Sequence, residues 1–317
     1  MKRSERFVPL ALGIAIVSIS FAAIFLKKAS PTHPLVIAGT RLAIAAVVLA
    51  VPTIRAWRAG RLPRNVVRTG VVCGVLYGAH FGTWVTSLSM TSVASSVTLV
   101  TATPLLLALL ALVSGKDRPT RRSWAAIGFA LLGLTLIGWA DLSLSTEALL
   151  GDGLALAGAV AIALYLQLVR GLGKTLDVLA FSGLTTSVGA LTLLSCALVA
   201  RVPIVWAGNE SLLWIALAAL IPQLVGHNLL TWSLRHASPT MVGISTVGEP
   251  IGASFLAWAW LGEDVGWLVA IGCAITLGAV AIALGRPTHA NHPQPETGES
   301  PRAAEPDAVA GSRNARP

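Results

Sequence analysis

A chain of 317 residues that is 55% hydrophobic and 12% charged, with a mean hydropathy of +0.75, is too poor in charge for a soluble domain, where about a quarter of residues are charged. The net charge of +9 does not point to nucleic acid, because the basic residues flank apolar blocks and form no basic face with interleaved aromatics. Cys73, Cys196 and Cys273 lie inside apolar blocks without metal-ligand spacing, so no disulfide framework, metal site or cofactor is expected.

The opening MKRSERFVPLALGIAIVSISFAAIFLKKASP has the basic, apolar and small-residue order of a signal peptide. Its apolar stretch runs to Leu26 and ends on Lys27 and Lys28 without an A-x-A site, so a retained first helix is expected. Apolar blocks follow in order at 8–26, 34–52, 66–86, 93–113, 122–140, 151–169, 178–200, 212–234, 240–261 and 265–284. Each approaches or exceeds the roughly 17–25 residues that a helix needs to cross a bilayer. Barrel strands would be shorter and alternating, so the expected fold is an all-α membrane protein with ten transmembrane helices. Composition changes after the last block: 285–317 holds six prolines, four arginines and four acidic residues with almost no large apolar side chain. A disordered cytoplasmic tail is expected there.

Sixteen lysines and arginines near block ends fall on the side of the N-terminus, against Lys27, Lys28 and Arg201 on the other. The positive-inside rule therefore predicts a multi-pass protein of the cell (inner or plasma) membrane with both termini cytoplasmic. All ten tryptophans, among them Trp124, Trp139, Trp206, Trp214 and Trp267, lie near block ends, the interfacial placement of an amphipathic ring.

The chain repeats itself. Residues 86–138 echo 231–283 with one residue's slip; with Leu88 set on Leu234, Pro104 falls on Pro250, sixteen residues on in both copies. A Gly-polar-Asp turn follows each, Gly115-Lys116-Asp117 and Gly262-Glu263-Asp264, and leads into a Gly-rich helix. The units are 8–140 and 151–284, five blocks each. Five is odd, so the second unit enters from the opposite face, giving two inverted five-helix repeats with a site expected near the midplane between them. Lys116 is then inside and Glu263 outside, which the orientation rule alone explains.

The segment SLRHASPTMVGISTVGEPIGASFLAWAWLGEDVGWLVAIGCAITLGAVAIA resembles the EamA-type branch of the drug/metabolite transporter superfamily, with its short loop, E-P helix, G-E turn and Gly-rich last helix. FAAIFLKKASPTHPLVIAGTRLAIAAVVL resembles the same family's first two helices, with Arg41 at its arginine and Lys27 within a residue of its lysine. The resemblance runs from about Val8 to Leu284 and implies secondary transport, with export as the family's usual direction. Lys116 replaces the family's usual acid, and Thr103 stands where the second half has Glu249, leaving one midplane carboxylate.

Glu249 sits near the middle of block 240–261, where an acidic residue costs about 2.5–3.5 kcal/mol. Such a residue marks a functional site by default, and it could load and release a proton; the alternative is a hydrogen-bonded group tying helices together. Pro250 and Pro104 each remove a backbone N–H, freeing the Thr246 and Val100 carbonyls. Matched kinks would bend two helices around one space. His80, Trp84 and Ser87 share a helix face, with Tyr77 one turn before; Gln223, His227 and Thr231 share another. Thr101, Thr103, Ser245 and Thr246 would complete the lining, with Tyr165 and Gln167 as weaker candidates. A lone histidine in a membrane is as readily a helix–helix hydrogen-bond partner. Arg41 would bind an anionic group, pair with a carbonyl or carboxylate, or snorkel to the outer face, and Lys27 reads as an interfacial anchor.

No nucleotide, hydrolase or metalloprotease motif occurs. The expected function is gradient-driven alternating-access transport of a small polar metabolite, an amino-acid-like solute or a drug-like amphiphile. An intramembrane enzyme acting on a lipid-linked substrate, with His227 and Glu249 as acid and base, is the alternative. The bilayer and a small solute are the expected partners; a homodimer is compatible with the pattern.

Overall fold

The computed structural model describes residues 7–103, 105–106, 109, 121–170, 172, 176–236, 246 and 248–284. Among them every long element is helical: α1 (Val8–Lys28), α2 (Pro34–Arg58), α3 (Arg64–Leu88), α4 (Val93–Thr101), α5 (Arg121–Leu144), α6 (Thr146–Arg170), α7 (Val178–Val199), α8 (Asn209–Ala218), α9 (Asn228–His236), α10 (Gly248–Leu256) and α11 (Trp267–Leu284). Pro104 and the expected tail at 285–317 lie outside the described residues.

Helix starts follow from local chemistry. His33 caps α2 by accepting from the Leu35 N–H (3.3 Å), with Pro34 in the first turn, where its missing N–H would be unpaired anyway. Ser92 caps α4 through the Ser95 N–H (3.1 Å), and Asp177 caps α7 through the Ala180 N–H (3.3 Å). Among the described residues six helices are long and apolar enough to cross a membrane: Val8–Lys28, Pro34–Arg58, Arg64–Leu88, Thr146–Val169, Val178–Val199 and Asn209–Leu230. Two shorter apolar helices are Trp124–Ile137 and Trp267–Ala279. Blocks 93–113 and 240–261 are described only in part.

Block 212–234 differs from expectation in kind. Helix α8 runs into a π-helical stretch, Ala219–His227, before α9 resumes. Pro222 lies inside that stretch and lacks an N–H to donate. A Cβ at Gly226 would collide with Ile19, so the glycine lets the widened helix press onto α1. Insertions of this kind are frequent at functional sites.

The helices pair systematically. α2 packs on α7, α5 on α11 and α4 on α10. α3 packs on α6 as α1 packs on the α8–α9 helix, and α4 meets α6 as α10 meets α1. These pairings fall at matching places in the two repeats that the sequence shows. Large apolar residues point outward, for example Val47, Val48, Val51, Leu131 and Leu198, while small residues face inward where backbones meet. Gly70, Gly74 and Gly78 lie at every fourth position of α3 against α7; a Cβ at Gly78 would sit 3.0 Å from the Gly189 carbonyl, and one at Gly189 3.2 Å from the Gly74 carbonyl.

Gly189→Leu is accordingly expected to cost about 1–3 kcal/mol by overpacking, read as earlier loss of the monodisperse peak when solubilised protein is heated. Gly128→Leu, with nothing within 4 Å of the added Cβ, should leave that temperature unchanged.

Candidate functional site

Tryptophan placement opens the way to the site. Trp57, Trp124, Trp139, Trp206, Trp258, Trp260 and Trp267 are exposed, as interfacial anchors should be. Trp84 departs from that expectation: it is buried and stacks on His80, with ring centroids 6.2 Å apart and planes 12° apart. The face of α3 that carries it continues through Phe81 to Tyr77, which meets Phe81 edge-on at 4.8 Å and Tyr165 of α6 at 5.3 Å. His80 Nδ1 lies 2.9 Å from the Gly158 carbonyl. A carbonyl only accepts, so Nδ1 carries the proton and donates it.

Arg41 of α2 enters this aromatic wall. Its side chain has no solvent exposure, so it does not snorkel. Nη2 donates to Gln223 Oε1 at 3.0 Å, and the guanidinium carbon lies 4.4 Å from the centre of the Phe81 ring. A desolvated cation in that position gains about 2 kcal/mol from the ring face. Gln223 Nε2 in turn donates to the Tyr77 hydroxyl at 2.6 Å. Arg41 Nε and Nη1 and Trp84 Nε1 are buried with no hydrogen-bond acceptor among the described residues. Buried donors left unmet cost roughly 1–3 kcal/mol each, a cost that a bound acceptor would relieve. The charge of Arg41 reaches Glu249 on α10, and also His80 and His227. Glu249 and His227 are half-buried.

The wall joins equivalent positions of the repeat. The displacement that carries Leu88 onto Leu234, 146 residues, carries Tyr77 onto Gln223 and Phe81 onto His227. Tyr77 is bonded to Gln223, and Phe81 meets His227 edge-on at 6.2 Å. Residues that touch their own counterparts lie close to the axis relating two copies. The widened turn of the π-helical stretch, with its i→i+5 bonding, presents Gln223 and His227 from one side of their helix.

Other expected lining residues stand apart. Thr103 is buried, and its hydroxyl donates to the Val100 carbonyl at 2.8 Å. The carbonyl expected to be freed by Pro104 is therefore occupied by a neighbouring side chain. Ser87 bonds the Trp84 carbonyl and Ser96 of α4, a packing role. Thr246 is half-buried and helical, three residues before Glu249, while Pro250 is buried within α10. Phe81, which carries the cation contact, was not among the expected site residues; its only sequence signal is its alignment with His227. Tyr77→Phe would leave the Gln223 amide short of one acceptor, and a cost of about 1–3 kcal/mol is expected, read as earlier loss of the monodisperse peak when solubilised protein is heated.

A cavity of about 880 Å³ lies further along the same helices, lined by Arg61, Asp177, Leu224, Asn228 and Trp232. It does not contain Arg41 or Glu249, but Leu224 and Asn228 directly follow Gln223 and His227 in the chain. Arg61 and Asp177 form an ion pair at this end. At the opposite end, Lys27 pairs with Glu263, so Lys27 joins the two halves instead of acting as a lone anchor, and Glu263 has a bonding role beyond sidedness.

Comparison with known proteins bears on both halves of the chain. The model of the EamA-like transporter family matches residues 7–139 and again 149–285. No curated protein matches significantly. Among solved structures, one described as "Crystal structure of protein" is 20% identical, with a TM-score of 0.60, and the match covers 87% of this chain and 96% of that one. At that identity the likeness speaks for the fold alone. With a buried polar cluster where its two halves meet and the family's model matching each half in turn, this multi-pass membrane chain belongs to the EamA-like transporter family of the drug/metabolite transporter superfamily.

Proposed function

We propose that the protein is a secondary transporter that moves a small solute by alternating access around the Arg41 cluster. Its ten transmembrane helices form two inverted five-helix repeats, placed in the cell membrane with both termini cytoplasmic. The observation that carries this reading is the contact between repeat equivalents, Tyr77 with Gln223 and Phe81 with His227, beside a fully buried arginine. A site on the axis between inverted halves is equally related to both faces, which is what alternating access requires. The matched pairings of α3 with α6 and of α1 with the α8–α9 helix support the same reading. By the charge rule the Arg61 end is cytoplasmic, so the cavity beside it is an inward vestibule and the Lys27 end is the closed outer face.

The solutes are small polar metabolites, amino-acid-like molecules or drug-like amphiphiles, and export is the direction. Arg41, with donors to fill, takes the acceptor-bearing part of the solute. Tyr77, His80, Trp84, Gln223 and His227 form the walls, and Thr246 flanks them. Glu249, within reach of the Arg41 charge, exchanges a proton in the cycle. Family membership favours transport over the intramembrane-enzyme reading. The experiment is solute counterflow in proteoliposomes across a metabolite panel: exchange of at least one solute, absent from empty liposomes, is expected. Exchange of none, together with turnover of a lipid-linked substrate in detergent, would replace the transport reading with the enzymatic one.

A further inference from the structure

At the end of the molecule away from the cavity one carboxylate bridges three elements. Glu263 follows Gly262, whose φ of 68° is left-handed, in the turn between the second π-helical stretch, Ala257–Leu261, and α11. The Glu263 N–H returns to the Ala257 carbonyl at 3.2 Å, which aims the side chain across the bundle. Its Oε1 pairs with Lys27 Nζ at the end of α1. Its Oε2 accepts the Val93 N–H at 3.0 Å, at the first residue of α4, where backbone N–H groups lack intrahelical partners and favour an anion. Lys27 Nζ also donates to the Thr91 carbonyl at 3.3 Å. A residue of the second half thus ties down two helices of the first.

The same elements also meet through apolar side chains. Phe25, Leu26, Val93, Val97, Ala253 and Ala257 belong to one buried apolar cluster that continues to Tyr77, Phe81 and Trp84. The Lys27 and Glu263 side chains are 23% and 22% exposed. Partly exposed pairs of this kind contribute little net stability. Such a contact can part and re-form where a dry one would not.

We infer that Lys27 and Glu263 form the closing contact of this end of the transporter, a contact that parts each time the central site opens toward the Lys27 face. The inference rests on the transport reading, and its test needs no solute. Ala253 is 1% exposed and lies one turn from Glu249 on α10. In a chain whose three native cysteines are replaced by alanine, Ala253→Cys serves as a reporter for a membrane-impermeant cationic methanethiosulfonate added at the Lys27 face of sealed vesicles. Glu263→Gln weakens two charge-assisted bonds at once, and the labelling rate is expected to rise at least about tenfold. Lys27→Gln should raise it in the same direction, and it carries the test alone should Glu263→Gln fail to elute as a monodisperse peak. Rates equal to the parent in both variants would overturn the inference. Faster labelling together with no counterflow of any solute would sink the transport reading and leave the closing contact standing; counterflow with unchanged labelling would do the reverse.

Discussion

Arg41→Gln is expected to reduce solute exchange in proteoliposomes at least about a hundredfold while the protein still elutes as a monodisperse peak. The guanidinium is fully buried, bonded to Gln223 and set over the Phe81 ring. Removing one member of a buried charged group typically costs about 3–5 kcal/mol, largely because the remaining partners lose their counterpart. Here Gln223 Oε1 would lose its donor, and Glu249 would lose the nearby cation whose charge it feels. Arg41→Lys should recover only part of the activity. A lysine keeps the charge but lacks the planar fork that reaches Gln223 while lying on the ring. Parental exchange by Arg41→Gln would remove Arg41 from the site.

Glu249→Gln should separate exchange from accumulation. Counterflow needs only that the loaded site turn over, whereas concentrative transport needs the driving ion to be bound and released. If Glu249 carries one proton per solute, a gradient of one pH unit supports about tenfold accumulation in the parent. In Glu249→Gln that ratio should fall to one at every pH, with counterflow kept within about threefold of the parent. The measurement is uptake of labelled solute with and without an imposed pH gradient. If the variant accumulates solute as the parent does across the pH range, Glu249 is not the coupling group.

Much of this arrangement was legible before any coordinates. Apolar block lengths anticipated the six helices long enough to cross a membrane among the described residues, and caps such as His33 and Asp177 sit where the blocks begin. Helical periodicity put Tyr77, His80 and Trp84 on one face, and their mutual ring contacts bear that out. Aligning Leu88 with Leu234 already paired Phe81 with His227.

What the sequence concealed is pairing across distance and the chemistry of neighbours. Arg41 finds Gln223 from 182 residues away, and Lys27 finds Glu263 from 236 residues away; no local spacing encodes either. Glu263 had a sufficient explanation in the orientation rule, and that explanation hid its bond to the Val93 N–H. Phe81 looks like core filler in an apolar helix, because a ring that receives a cation has the same composition as one that packs against leucine. The Val100 carbonyl was counted as free because Pro104 removes a backbone donor, while the adjacent Thr103 hydroxyl supplies another. The π-helical stretch leaves Pro222 and Gly226 as its traces in the sequence.

The central claim is that a polar site between the halves is reached from each face of the membrane in turn. Its most direct measurement uses Thr246→Cys in a chain whose native cysteines are replaced by alanine, reconstituted in sealed vesicles. An impermeant thiol reagent should label that position whether it is added outside or trapped inside. Labelling by a lipid-soluble reagent alone, with neither aqueous face giving reaction, would place the residue against acyl chains and contradict the account.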